Sequence, residues 1–366
     1  MDRRSFVTSG TGMLALAASQ GLAWAFKQGG ALAQTALSSP RGKWVRLAPF
    51  PRAIGELLGV AINDKLVASQ GLLPGFKPAG LVYEYDPKGD AWTQKKPMPR
   101  PVHHGALAAL NGKMYLFGGF ELPAGEAPGW SPVNNAWEYD LATDVWKALA
   151  PMPTARGGGV AAAVNGKIYV IGGAGPVANA SSPIIRPRQP QRSLGTVEEY
   201  DPTTNEWRAR APMPTPCNHM GGEAVNGKIY AIGGRLSGAF IIGFPGNINL
   251  VQAYDPAADS WVTKSPMPTA RSGHNTASLN GIIYAAGGEV QNDSYLAAFR
   301  TFEAYDPASD TWWSLPSMLL PRHECIMAAL GNRVHVAGGT VQSAIVPLPK
   351  GLSFDTDSHE AFEVAA

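Results

Sequence analysis

Histidine is scarce in this chain of 366 residues, yet five of its seven histidines fall within six short triplets. The triplets are Gly55-Glu56-Leu57, His103-His104-Gly105, Gly157-Gly158-Gly159, Asn218-His219-Met220, Ser272-Gly273-His274 and His323-Glu324-Cys325, and each begins eleven residues after a tryptophan. Imidazoles change charge near neutral pH and can serve as acid, base or ligand. Glu56 and Glu324 are carboxylates able to pair with them. If the triplets converge, they form a polar pocket with His103, His104, Asn218, His219, Arg235, His274, His323 and Glu324 as ligand contacts. Glu56, His104, His219 and Glu324 are then the candidates for acid–base catalysis. Glu121 and Glu289 would point the same way, and Trp130, Tyr295 and Phe299 could stack on a flat ligand. The donors lie far apart along the chain with no tight-spaced motif, so no metal site and no other cofactor is expected. The competing expectation is a polar opening that holds only ordered water.

The elements that must position these triplets repeat through the chain. Tyr-Asp pairs at Tyr85, Tyr139, Tyr200, Tyr254 and Tyr305 are each followed, six residues after the Asp, by Trp92, Trp146, Trp207, Trp261 and Trp312. Runs such as "KIYVIGG" are β-branched and aromatic and stop at paired glycines, as buried strands do. Asn-Gly before them (Asn111, Asn165, Asn226, Asn280) signals a two-residue hairpin, whose central residues both need positive φ. "YDPxxxxW" reads as a second hairpin shaped by Asp and Pro. Each unit is therefore a four-stranded antiparallel meander that must stack on its neighbours to bury its faces. These motifs resemble the kelch repeat over essentially the whole chain after its N-terminal segment. The resemblance implies an all-β, six-bladed kelch β-propeller, one blade per glycine-pair position, with Gln70-Gly71 standing in the first. The last copy ends at "EAFEV" without its Trp, whereas "KWVRLAPFP" opens the chain with one. Residues 43–48 are thus expected to be the outer strand of the sixth blade and to close the ring.

Length variation is confined to one face. From each Asn-Gly Asn to its glycine pair the distance is seven residues in copies two to five, whereas from the second glycine to the next Tyr it runs 14, 20, 27, 20 and 17, then 23 to Phe362. The variable segments join the second and third strands, on the face where the triplets begin the innermost strand. A rigid scaffold with variable loops on one side is where binding surfaces usually sit.

Composition narrows the classes further. A net charge of +2 gives no electrostatic footprint for nucleic acid. Hydrophobic residues at 45% with 16% charged describe a chain able to bury a sizeable core. Residues 1–33 resemble a twin-arginine export signal: Arg3 and Arg4 precede Phe6 and the apolar stretch "MLALAASQGLAWA", with small-residue cleavage sites ending at Ala25 or Ala33. The apolar run is too short to span a bilayer. Residues 34–366 then form one propeller, a monomer in the periplasm or secreted. Cys217 and Cys325, two blades apart, are expected to stay unpaired, His335 to pack within its strand, and His359 to be ordinary surface.

Two functional classes follow. The first is a binding or interaction protein, taking a small molecule or a protein partner on the variable-loop face. The second is a sugar mutarotase, since exported six-bladed kelch proteins include the N-acetylneuraminate epimerase type. Mutarotation needs an acid and a base across the sugar ring oxygen and anomeric hydroxyl, with Arg235 as cation for a carboxylate. That likeness rests on fold, size and compartment. Galactose oxidase shares the propeller, but no Tyr-Cys pairing of its kind is expected here. A scaffold with no pocket chemistry is the remaining alternative.

Overall fold

The computed structural model describes residues 38–74, 77–123, 129–187, 191–240, 246–291, 296–342 and 354–365, so the export-signal reading and Tyr295 lie outside it. Ser39–Ala366 forms a single compact unit. Six four-stranded antiparallel sheets account for its blades, beginning with Gly55–Ile62, Lys65–Leu73, Lys77–Asp86 and Ala91–Gln94. In the sixth, Ile326–Leu330, Arg333–Ala337 and His359–Val364 are completed by Gly42–Arg46, with Trp44 opposite Phe362. Each earlier blade has Tyr opposite Trp at this register, as Tyr85 faces Trp92. The N-terminal strand therefore occupies the place of a fourth strand, and the ring is closed.

The signature residues lock each blade to its predecessor. The six repeat tryptophans each donate an indole N–H to a carbonyl one or two residues past the preceding blade's outer strand at 2.7–3.2 Å, including Trp44 to Pro316 and Trp92 to Ala48. The Tyr hydroxyls donate to the Asp or Asn five residues on, and that side chain accepts a backbone N–H from the same segment just past the preceding outer strand, as Tyr85, Asp90 and Ala48 do. Apolar clusters lie between adjacent blades; one joins Phe302 and Tyr284 of the fifth to Val334 and Phe362 of the sixth, with Trp44 packed on it. Burial between blades, rather than within one, is what makes the repeat dependent on closure.

The position ten residues after each Trp proves to be part of this framework. Arg156, Arg271 and Arg322 are buried against Glu198, Glu303 and Glu360 of their own blade's third strand. In the fourth blade Cys217 replaces the Arg, and Gln252 replaces the Glu and bonds the backbone of Thr215 instead. The first two blades carry Ile54 with Tyr83 and Val102 with Trp137, apolar at both places. Charge is present at both members or at neither, as burial requires. His335 is buried in its strand as expected. His359 is not surface: it is buried, bonded to His335 Nδ1 at 3.0 Å and to the carbonyl of Ala48, between the sixth and first blades. Cys217 and Cys325 are free and buried.

Candidate functional site

The six triplets do converge, and their three positions have three different destinations. The middle residues, Glu56, His104, Gly158, His219, Gly273 and Glu324, all take φ between +46° and +69°. Five of them turn the chain sharply just before the innermost strand, and Glu56 interrupts the pairing near the start of its own, Gly55–Ile62. Backbone bonds link them around the axis: Gly158 N–H to His104 O, His219 to Gly158, Gly273 to His219 and Glu324 to Gly273, each 2.8 Å, and Leu57 N–H to Glu324 O at 3.1 Å. Left-handed backbone costs a non-glycine residue about 1–2 kcal/mol. Glycine fills two of the six places; the other four carry His or Glu.

Those four side chains meet. His104 Nε2 lies 2.9 Å from Glu56 Oε2 and 3.0 Å from Glu324 Oε2, and His219 Nε2 is 3.6 Å from Glu324 Oε1. The His104 and His219 rings are 4.7 Å apart. They line one end of a cavity of about 380 Å³ that follows the six inner strands, with walls mostly of Gly, Ala and Val. Burial pushes the Glu56 carboxyl up to about 8 and His104 down to about 3, and holds His219 well below the usual imidazole range. At neutral pH the histidines are therefore uncharged and Glu56 is largely protonated.

The first residue of each triplet sits behind this ring. His103 presses its Nδ1 on His104 Nδ1, and Asn218 Oδ1 meets His219 Nδ1. His323 Nε2 lies 3.2 Å from the carbonyl of Gln342, and its Nδ1 lies 3.8 Å from Glu289. Arg235 is not open to a ligand carboxylate. It is buried, with guanidinium N–H groups donating to Glu289 at 2.9 Å, to the Ala239 carbonyl at 2.5 Å and to Asn218 Oδ1 at 3.3 Å. Glu289 joins the belt through that pair, but Glu121 turns away and pairs with Arg100 instead. The third triplet position enters the core. His274 packs beside Gly221 and Gly233 between the fourth and fifth blades rather than in the ring, although part of it borders the cavity.

On the loop face the ring is partly roofed. Phe120, Trp130, Ile185, Ala239 and Phe240 form an apolar cluster, with Trp130 4.0 Å from Phe240 and 4.9 Å from His104 between ring centroids. Trp130 is therefore buried packing, not a free stacking platform, while Phe299 is half-buried. The ring side chains face the bore. One wall residue escaped the sequence reading: half-buried Glu223, which desolvation raises to about 7. Its signal was present, since the corresponding residues in the other copies are Val60, Ala108, Ala162, Ala277 and Ala328.

Residues 81–344 match the family described as Attractin/LZTR1 beta-propeller. The chain belongs to this family of kelch-repeat propellers. It is 29% identical over 322 residues to Kelch-like protein terF of Aspergillus terreus, covering 84% of this chain and 67% of that protein. It is 30% identical over 258 residues to Kelch-like protein 25 of Xenopus tropicalis, covering 70% of this chain but only 40% of that protein. Alpha-scruin of Limulus polyphemus is 28% identical over 261 residues, 70% of this chain and 27% of that protein. The chain thus spans about two thirds of the first relative's length and less than half of the other two. Among solved structures it is similar to one titled "Structure of YjhT", with a TM-score of 0.65 and 16% identity over 86% of this chain and 95% of that one, a likeness of fold. Among the described residues no helix is long and apolar enough to cross a membrane.

Proposed function

We propose that this kelch propeller is an exported binding protein that holds a small polar ligand at the loop-face end of its channel, contacted by Glu56, His104, His219 and Glu324. The observation that carries this reading is the left-handed backbone of those four residues. Glycine would adopt it at no steric cost, and does so at Gly158 and Gly273. Strain of this kind clusters where side chains must be held for a purpose. The variable loops above the ring remain the surface for a protein partner, consistent with the Kelch-like relatives. Export rests on Arg3 and Arg4 ahead of Phe6.

The test is a thermal-shift screen with neutral sugars and sialic acids on the wild-type protein and on Glu324→Gln. A ligand that raises the wild-type Tm and not the variant's supports the reading. Ligands that shift both equally bind elsewhere and overturn it.

A sugar mutarotase is the second reading, favoured by one feature: a protonated Glu56 beside a neutral His104, 2.9 Å apart, offers an acid and an acceptor at one end of the bore. Anomer exchange measured by NMR that is unchanged in Glu56→Gln would remove it.

A further inference from the structure

We propose that the ring is a binding site for one divalent first-row transition-metal ion, zinc by preference, held by His104 Nε2, His219 Nε2 and a Glu324 carboxylate oxygen, with Glu56 as a fourth donor. This deepens the reading of the ring as a ligand site and rests on it.

The hydrogen bonds around His219 carry the argument. Asn218 donates its amide N–H groups to the Ser237 carbonyl and to Ser193 Oγ, both at 2.6 Å, and its Oδ1 accepts from Arg235 Nε. The amide orientation is thereby set, so Oδ1 can only accept from His219 Nδ1, which must carry the proton. His219 Nε2 is then a lone pair. It is buried, has no hydrogen-bond partner, and lies 3.6 Å from Glu324 Oε1, itself an acceptor. Neither atom can donate to the other, and the remaining neighbour of that oxygen is His104 Nε2, 3.2 Å away. A cation satisfies both.

His104 repeats the arrangement. Its Nδ1 contacts His103 Nδ1 and its Nε2 lies 3.2 Å from Glu324 Oε1; the tautomer that donates at Nδ1 leaves the Nε2 lone pair facing the carboxylates of Glu324 and Glu56. Glu56 Oε2, though 2.9 Å away, makes no aligned hydrogen bond. Second-layer groups that fix the tautomer of a ligating imidazole are the usual companions of a metal site. Donor atoms of His104, His219 and Glu324 all lie within 4.8 Å of one another. Bonds of about 2.1 Å at tetrahedral angles place donors about 3.4 Å apart, so little movement is needed. Two imidazoles with carboxylate suit zinc and its neighbours rather than calcium or magnesium. A second group, Glu289, His323 and Glu324, also gathers donors, but Arg235 already neutralises Glu289. The donors come from the second, fourth and sixth blades, which is why no short motif announces them.

The probe is zinc(II) alone, titrated calorimetrically at pH 7.5 into full-length protein stripped with a chelator. One ion per chain is expected. Glu324→Gln and His219→Gln should each weaken binding at least 100-fold, and Asn218→Ala 10- to 100-fold through loss of ring orientation. If His219→Gln fails to melt cooperatively, the near-isosteric Glu324→Gln decides. No zinc binding to the stripped wild type, or unchanged affinity in Glu324→Gln, overturns the proposal. An organic ligand whose thermal shift is lost in Glu324→Gln, found together with no zinc binding, removes the metal and leaves the ring as a ligand site.

Discussion

Replacing Arg322 with Met would test whether the buried Arg–Glu pairs are structural units whose members depend on each other. Arg322 and Glu360 both have side chains with 0% exposure, and their contact is 2.6 Å. The guanidinium also serves the carbonyls of Gly338 and Ser358, whereas Glu360 keeps the backbone N–H groups of Leu319, at 3.0 Å, and Leu320 once the Arg is gone. Uncompensated burial of one partner costs about 3–5 kcal/mol. At roughly 2 °C per kcal/mol for a domain of this size, the Tm falls by about 6–10 °C. The double substitution Arg322→Met with Glu360→Leu should recover most of this. The protein already runs the apolar version at Ile54 with Tyr83 and at Val102 with Trp137. Differential scanning calorimetry of wild type, single and double variants is the assay. A single variant within about 1 kcal/mol of wild type, or a double variant no better than the single, refutes the reasoning.

Other perturbations address closure, acid stability and the ring. Trp44→Ala loses the indole bond to Pro316 and the contacts with Phe302 and Phe362, so stability should drop by about 2–4 kcal/mol in a chemical-denaturation curve. His335 and His359 are buried and neutral, depressed by desolvation to about 3 and about 4. The unfolded chain binds their protons more tightly, so the stability they contribute is complete above about pH 6.5 and declines as pH falls toward those values. At pH 5 the loss should reach up to about 2 kcal/mol for each histidine, and His335→Phe with His359→Leu should flatten the Tm–pH slope. Gly158→Ala places a Cβ 2.9 Å from His219 Nδ1 at φ +69°, and should cost about 1–2 kcal/mol while abolishing any ligand-induced thermal shift.

The blade count, the strand order and the closing strand were legible because each is written in local chemistry that recurs from copy to copy: Asn-Gly turns in four, paired glycines in five, and a Trp at a constant distance from its Tyr in five. Trp44, spaced from Pro49 as Trp92 is from Pro97 and Trp146 from Pro151, was enough to identify the closing strand. The triplets were legible as a group for the same reason. Which of their members reach the ring was not. That depends on a left-handed turn at the middle residue, which sends His104 and His219 to the axis, His103 and Asn218 behind them, and His274 into the core. Arg235 was misread because its partners, Glu289, Ala239 and Asn218, come from different loops and strands. The pairing of Arg271 with Glu303 could have been read, since Glu stands two residues before the Tyr or Phe in each blade that keeps the Arg. The roof over the ring had no signal of its own; Phe120 and Trp130 belong to one loop and Phe240 to another of the same length, with no motif in common.

The central claim is that residues on separate blades share one site at the axis. His104 and Glu324 are 220 positions apart in the chain and 3.0 Å apart in the fold. A double-mutant cycle on stability with His104→Ala, Glu324→Gln and their combination measures that contact directly. The account predicts a coupling energy of about 1 kcal/mol or more between the two. Effects that add to within about 0.3–0.5 kcal/mol would contradict it.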